Sequence, residues 1–170
     1  MMTPFVIRPE RPDDAEAIRT IIRAAFENAP HTSGTEAAIV DALRASGALT
    51  LSLIAALDEA IIGHIAFSPV TIDEQSIGWF GLGPVAVRPD LQHRGAGCAL
   101  IRSGLQRLAA AGAQGCVVLG DPAYYQRFGF LRDPGLRYAG APPEYFQGLS
   151  FDSRRQTGQV AYHPAFDAPA

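Results

Sequence analysis

The chain has 170 residues, 48% hydrophobic and 18% charged, which suits one compact domain that buries a full core without metal or disulfide support. A formal net charge of −3 argues against the basic footprint of a sequence-independent nucleic-acid binder, and no apolar run approaches the roughly 20 residues that span a bilayer. All 14 basic residues are arginine, and the two cysteines, Cys98 and Cys116, are too few for a disulfide framework or a four-ligand zinc site and read as small buried hydrophobes.

The opening Met1-Met2-Thr3-Pro4-Phe5 has neither the basic nor the apolar region of a secretory signal, so a cytoplasmic protein is expected. Thr3 to Arg8 reads as a short strand. Pro12-Asp13-Asp14 then supplies the proline and acids of a helix start, followed by Ile18, Ile21, Ile22, Ala25 and Phe26 at helical spacing. After a loop from Asn28 to Gly34, Thr35 is placed to cap a second helix that ends at Gly47. Leu51–Leu57 and Ala60–Ile72 around Asp58-Glu59 predict a hairpin, and Trp79–Val87 a further strand. This stretch is apolar on both faces, which predicts a sheet covered by helices on each side.

A helix is expected from about Gly95 to Ala111 with Ile101, Leu105 and Leu108 buried, then a strand from Cys116 to Leu119 and a brief helix from Ala123 to Phe128. The remainder is rich in Gly, Pro and aromatics. It offers a closing strand at Gln159–Tyr162 that could pair with a second copy of the chain, and a tail expected to be loose from about residue 164. Nothing divides residues 1–170 into more than one domain, and no repeat is visible.

The chemistry concentrates in Gly83-Pro84-Val85-Ala86-Val87-Arg88-Pro89-Asp90-Leu91-Gln92-His93-Arg94-Gly95-Ala96-Gly97, where an apolar strand ends in a glycine-bearing turn that opens a helix. Unpaired N–H groups at such a start lie at the positive end of the helix dipole and can hold a phosphate. Gly95 and Gly97 let the backbone approach closely, and Arg94 can add a charge-assisted contact. The segment lacks the Gly-Lys-Ser/Thr ending of a nucleotide P-loop, and Leu100 replaces the third glycine of the dinucleotide fingerprint. A glycine pair at a helix start that binds nothing is the plain alternative.

Gln92-His93-Arg94-Gly95-Ala96-Gly97 resembles the Gln/Arg-x-x-Gly-x-Gly/Ala motif of the GNAT superfamily of acyl-CoA-dependent N-acyltransferases. Tyr124-Tyr125-Gln126-Arg127-Phe128-Gly129-Phe130 is similar to its aromatic-Tyr-x-x-x-Gly-Phe signature. Gly63 to Val70 and Gly120 to Tyr125 look like the YhbS-type branch, and the likeness runs from the first strand to Phe166. It implies an α/β (α+β) fold: a mixed, mostly antiparallel central sheet flanked by helices on both faces. It further implies acetyl-CoA as co-substrate, no metal, and transfer of an acetyl group to a primary amine of a small molecule or protein by direct attack in a ternary complex.

In residue terms, the resemblance implies that the backbone of Val85, Ala86 and Val87 pairs with the pantetheine arm and can stabilise the oxyanion. It implies that Gln92, His93, Arg94, Gly95, Ala96 and Gly97 hold the pyrophosphate, His93 facing phosphate or solvent. Tyr125 becomes the acid that protonates the leaving thiolate, and Tyr124 a packing residue. The amine must lose a proton before attack; His64, His31, Glu10 and Glu74 are the candidate bases, with His64 favoured because imidazole titrates near neutrality, against the plain reading of a hydrogen-bonded core histidine. One departure stands out: the asparagine that many members carry seven residues before the motif tyrosine is Val118 here, and Asp121 is instead a candidate helix cap. That departure keeps open a CoA- or acyl-carrier-binding sensor without turnover. Acceptor choice is expected from the Asn28–Gly34 loop and from Tyr138 to Phe151.

Overall fold

The computed structural model describes residues 5–29, 32 and 34–169. Strand β1 (Val6–Pro9) is followed by a 3-10 turn at Pro12–Asp14 and helix α1 (Ala15–Phe26). Asp14 joins the two, accepting from Arg11 N–H at 2.7 Å and from the Arg8 guanidinium at 2.8 Å. Helix α2 (Glu36–Ser46) has Thr35 at its N-cap, the Thr35 carbonyl accepting from Ile39 N–H, and it closes on Gly47 in the left-handed region. Strands β2 (Leu51–Leu57) and β3 (Ala60–Ile72) form the expected hairpin, with Asp58 and Glu59 both at positive φ as a tight two-residue turn requires.

Strand β4 (Trp79–Val87), helix α3 (Ala96–Ala110), strand β5 (Gly115–Leu119) and the one-turn helix α4 (Pro122–Tyr125) follow. The chain ends in β6 (Leu136–Arg137), β7 (Phe146–Ser150) and β8 (Gly158–Tyr162). The sheet runs β1-β2-β3-β4-β5-β7, with β8 pairing the far end of β3 and also β6. Its pairs are antiparallel except β4 with β5 and β6 with β8.

Side-chain alternation along the strands decides which helix covers which face. Leu53, Ala55, Ile65 and Phe67 meet Leu100, Ile101, Leu105 and Leu108 of α3, while Ile54, Ala66 and Ala86 meet Ile18, Ile21, Ile22 and Val40 of α1 and α2. The two-faced apolar strands are thus explained by helices on both sides. No helix among the described residues is long and apolar enough to cross a membrane.

Two expectations change. Phe146–Ser150, in the Gly-, Pro- and aromatic-rich remainder where only Gln159–Tyr162 is expected as a strand, is itself a strand paired with β5 along its whole length; Gln147 and Gly148 hide the apolar alternation. The tail expected to be loose forms a 3-10 turn at Pro164–Asp167, with Ala165 buried against Ile39 and Leu43 of α2 and Phe166 stacked on Tyr162. The closing strand expected at Gln159–Tyr162 is present as β8: Val160–Tyr162 pair with β3 along one edge, and Gly158 and Gln159 with β6.

Candidate active site

The site begins where β4 and β5 part. They run parallel only from Trp79 to Leu82 against Gly115 to Val118, and beyond those residues each goes its own way. The register of β4 on β3 shows why: Ile65 faces Val85 but Phe67 faces Leu82, so β4 carries one extra residue at Gly83-Pro84. Pro84 has no N–H to give a ladder, and a bulge is one of the few places a sheet accepts it.

Past the bulge, β4 stays paired with β3 and leaves its other edge open. Arg88 N–H donates to Ile62 O at 2.7 Å, so by antiparallel alternation Ala86 also bonds to β3, whereas the N–H and C=O groups of Val85 and Val87 face the gap. Gln92 confirms the direction, its Nε2 donating to Val87 O at 3.1 Å. Of the three strand residues expected to hold a pantetheine arm, Val85 and Val87 therefore present free backbone to the gap, and Ala86 does not.

The open edge leads to the N-terminus of α3. Gly95 is the N-cap at φ 95°, and its carbonyl takes Ala99 N–H, which leaves the N–H groups of Ala96, Gly97 and Cys98 to the first turn's outward face. A Cβ on Gly95 would meet nothing within 4 Å. The glycine is thus required by its left-handed φ and guards open space. A cleft of about 580 Å³ runs along this edge, lined by Val85, Val87, Gln92, His93, Gly95, Ala96 and Gly97 on one side and by Cys98, Tyr124 and Arg127 on the other. Arg94 is exposed and does not line it.

A second cavity, about 420 Å³, lies on the other side of Val85 and is bounded by Leu82, Gly83, Pro84, Leu119 and Tyr125. The two spaces share Val85, and Tyr124 and Tyr125 stand one in each. Asp121 fixes α4 by accepting Ala123 N–H at 2.9 Å, the capping role foreseen for it. Gly120 admits the Tyr125 ring: a Cβ there would lie 2.4 Å from it. Tyr125 is 9% exposed, packed edge-on against Tyr124 and Phe130, and burial pushes its phenol up to about 12. Tyr124 is more than packing, since its hydroxyl lies 3.6 Å from Cys98 Sγ and the residue lines the cleft along the open β4 edge. Val118, where the asparagine was missed, is core at 1% exposure.

His64 is a correction. It is fully buried beneath β4, opposite Ala86, and lines neither space. Ser52 Oγ donates to Glu10 Oε1 at 2.6 Å, so Ser52 accepts from His64 Nε2–H at 2.8 Å, and Glu10 is held in turn by Arg44 at 2.8 Å. The remaining nitrogen, Nδ1, is buried without a partner. A ring sealed in this way does not reach a bound amine. Glu10 is committed to the same network, Glu74 sits in the exposed turn after β3, and His31 lies outside the described residues.

Burial lowers the His64 pKa from its ordinary 6.5 to about 4, Arg44 acting in the same direction and Glu10 against it. The unfolded chain therefore binds this proton first. Stability is complete above about pH 6.5 and declines as pH falls toward 4, by on the order of 3 kcal/mol. Melting temperatures are expected to be level from pH 8 to 7 and to drop through that window, less steeply in His64→Gln; a flat wild-type profile would reject a neutral buried ring.

A family model for an acetyltransferase (GNAT) domain matches residues 49–132. Over 172 aligned residues the chain is 40% identical to the uncharacterized N-acetyltransferase YhbS of Escherichia coli strain K12, covering 96% of this chain and 99% of that one. The chain belongs to the GNAT acetyltransferase family. Among solved structures, a GNAT family acetyltransferase from Brucella melitensis in complex with acetyl-CoA is 51% identical with a TM-score of 0.87, covering 98% of this chain and 100% of that one. E. coli YhbS in complex with CoA is 36% identical with a TM-score of 0.90, covering 99% and 94%.

The GNAT assignment accounts for the parted strands, the glycine loop and the α4 tyrosines as one unit. Sequence reasoning missed Cys98 and Arg127 on the cofactor side, although Arg127 stands inside the tyrosine motif. Its guanidinium lies 4.6 Å over the Tyr124 ring while Nε donates to Tyr124 O at 2.9 Å, which leaves a cation at the cleft. Glu36, Phe26, Ile39, Tyr162 and Phe166 were also unforeseen; Tyr138 alone came from a segment named for acceptor choice. Among the described residues, no cluster of three or more His, Cys, Asp or Glu side chains is placed to hold a metal.

Proposed function

We propose that this GNAT enzyme transfers the acetyl group of acetyl-CoA to a primary amine by direct attack within a ternary complex. The observation that carries the reading is the junction at Val85, where an open strand edge leading to a helix N-terminus meets a separate cavity beside Tyr125. Two spaces that touch only there suit two substrates bound together, with the thioester carbonyl at the meeting point.

Pyrophosphate binds to the first-turn N–H groups of Ala96, Gly97 and Cys98, with Gln92 and His93 beside it and Arg127 as the nearby cation. The pantetheine amides extend the β4 edge at Val85 and Val87 as an added strand would. A Val85 N–H directed at the thioester oxygen stabilises the tetrahedral oxyanion, a contribution of about 3 kcal/mol for one donor in comparable sites. The amine nitrogen attacks the carbonyl carbon, the C–S bond breaks, and the electron pair leaves on sulfur. Tyr125 supplies the proton to sulfur, and the proton that the attacking nitrogen sheds returns through water to restore the phenol: Tyr125 is neutral at working pH, and the burial that raises its pKa raises that of an unsolvated thiolate as well.

His64 is assigned to the fold rather than to the chemistry. A cytoplasmic setting agrees with two free thiols, Cys98 and Cys116, of which Cys116 is wholly buried and inert. Acetyl-CoA titrated calorimetrically into the pure chain is expected to bind with micromolar affinity, and an amine panel should then release free thiol. Binding without thiol release on any amine would favour the sensor reading instead.

A further inference from the structure

Among the described residues, five buried side-chain polar atoms have no hydrogen-bond partner: His64 Nδ1, Ser68 Oγ, Trp79 Nε1, Gln147 Oε1 and Tyr162 Oη. Of these residues only Tyr162 forms part of the wall of the cavity beside Tyr125. Buried polar groups are nearly always paired, and an unpaired one costs stability, so a hydroxyl kept unpaired next to a reacting centre calls for a partner from outside the fold. The Tyr162 ring sits over Gly81, where a Cβ would lie 2.6 Å from its Cε1, and the next residue, Leu82, makes the last pairing of β4 with β5 before the two strands part. Tyr138 packs edge-on against it at 5.1 Å between ring centres and Phe166 at 5.0 Å, and these contacts fix where the hydroxyl points. Burial holds the Tyr162 phenol well above its ordinary range, with Cys116, Tyr138 and Tyr125 acting in the same direction. It is therefore neutral at working pH and can accept a hydrogen bond as well as donate one.

Resting on the acetyltransferase reading of the same site, we propose that Tyr162 holds the acceptor: its hydroxyl oxygen accepts a hydrogen bond from an N–H of the attacking amine and keeps the nitrogen against the thioester carbonyl beside Val85. A neutral amine aims its lone pair at the carbonyl carbon, so its N–H groups turn toward the cavity wall and need acceptors there. Tyr125 is committed as the donor to sulfur, and Glu36, the acid on this wall, is already engaged by Thr32 Oγ1 at 2.6 Å. The Tyr162 oxygen needs a partner and the amine needs an acceptor, and one contact satisfies both. The two phenols then divide the work. Tyr125 protonates the departing sulfur and Tyr162 orients the incoming nitrogen, with no covalent bond made or broken at Tyr162.

Tyr162→Phe tests this, since it removes the hydroxyl and keeps the stacked ring. Turnover is read as thiol release from acetyl-CoA with spermidine, tryptamine, kanamycin and a lysine-containing peptide, and the variant is compared on the amine that the wild type uses best. The expected result is a kcat/KM for that amine at least tenfold lower, with calorimetric acetyl-CoA affinity within twofold of wild type. The melting temperature should be unchanged or higher, because no hydrogen bond within the fold is lost. That reading separates a substrate contact from a structural hydroxyl, whose removal would lower the melting temperature. Wild-type kcat/KM in Tyr162→Phe, or a melting temperature lowered by several degrees, overturns the assignment to Tyr162 and leaves the acetyltransferase reading standing. Acetyl-CoA binding by the wild type without thiol release on any of the four amines overturns both, so the wild-type control shows which has failed.

Discussion

Replacing Tyr125 by phenylalanine is expected to lower turnover by roughly 10² to 10⁴ while acetyl-CoA affinity changes no more than a few-fold, the range seen when one positioned general acid is removed. The substitution is clean because it keeps everything except the proton donor. The ring remains seated over Gly120, in contact with Phe130 and Tyr124, and α4 remains capped by Asp121. A tyrosine that served only packing would show little change in rate, with a stability change of about 1 kcal/mol or less. The loss should appear in kcat far more than in the KM for the amine, since the hydroxyl acts on the departing sulfur. Wild-type turnover in Tyr125→Phe would refute the role and pass it to water or to Tyr124, whose hydroxyl lies in the other space beside Cys98.

Gly95→Glu is expected to weaken acetyl-CoA binding by at least 100-fold, measured by calorimetry on protein whose melting curve shows that it is folded. Two effects add. At φ 95° a side chain strains the N-cap by about 1 to 2 kcal/mol, and a carboxylate projected into the open space beside the first turn repels the phosphates that the helix dipole attracts. The controls separate them: Gly95→Ala carries the backbone strain without the charge and should cost binding roughly tenfold, while Gly95→Gln adds bulk alone. Equal affinities for wild type and Gly95→Glu would place the pyrophosphate elsewhere.

These two positions differ in how they became visible. The glycine loop could be read directly because a helix start with unpaired N–H groups is a property of consecutive backbone groups, so Gln92 to Gly97 show it in order along the chain. The hairpin at Asp58-Glu59, the strand at Trp79–Val87 and the stripe of α3 were equally local, set by turn residues and periodicity. The tyrosine motif, by contrast, named Tyr125 through resemblance alone. What the fold added is the reason it stands at the junction, namely Gly120, the residue just after the end of β5, where the Tyr125 ring leaves no room for a Cβ.

Where the reading went astray, the missing information was non-local. His64 titrates near neutrality as a free side chain, but a central strand beneath two helices removes water from both of its nitrogens, and only the contacts with Ser52 and Glu10, 12 and 42 residues away from their partners, show that it is sealed. Strand β7 has weak alternation of its own and exists because β5 offers it a ladder. The terminal turn, unremarkable as Pro-Ala-Phe-Asp, is held by apolar contact with α2 and brings Phe166 to the cavity beside Tyr125.

The sequence by itself therefore determined the helices and most strands, the glycine turn that opens α3 and the family likeness, because each depends on neighbours within one turn of chain or one motif. Tertiary structure alone decided the cavity beside Tyr125, since its walls come from α1, α2, β4, α4 and the last thirty or so residues, and burial by distant segments is what turns His64 into a neutral core residue.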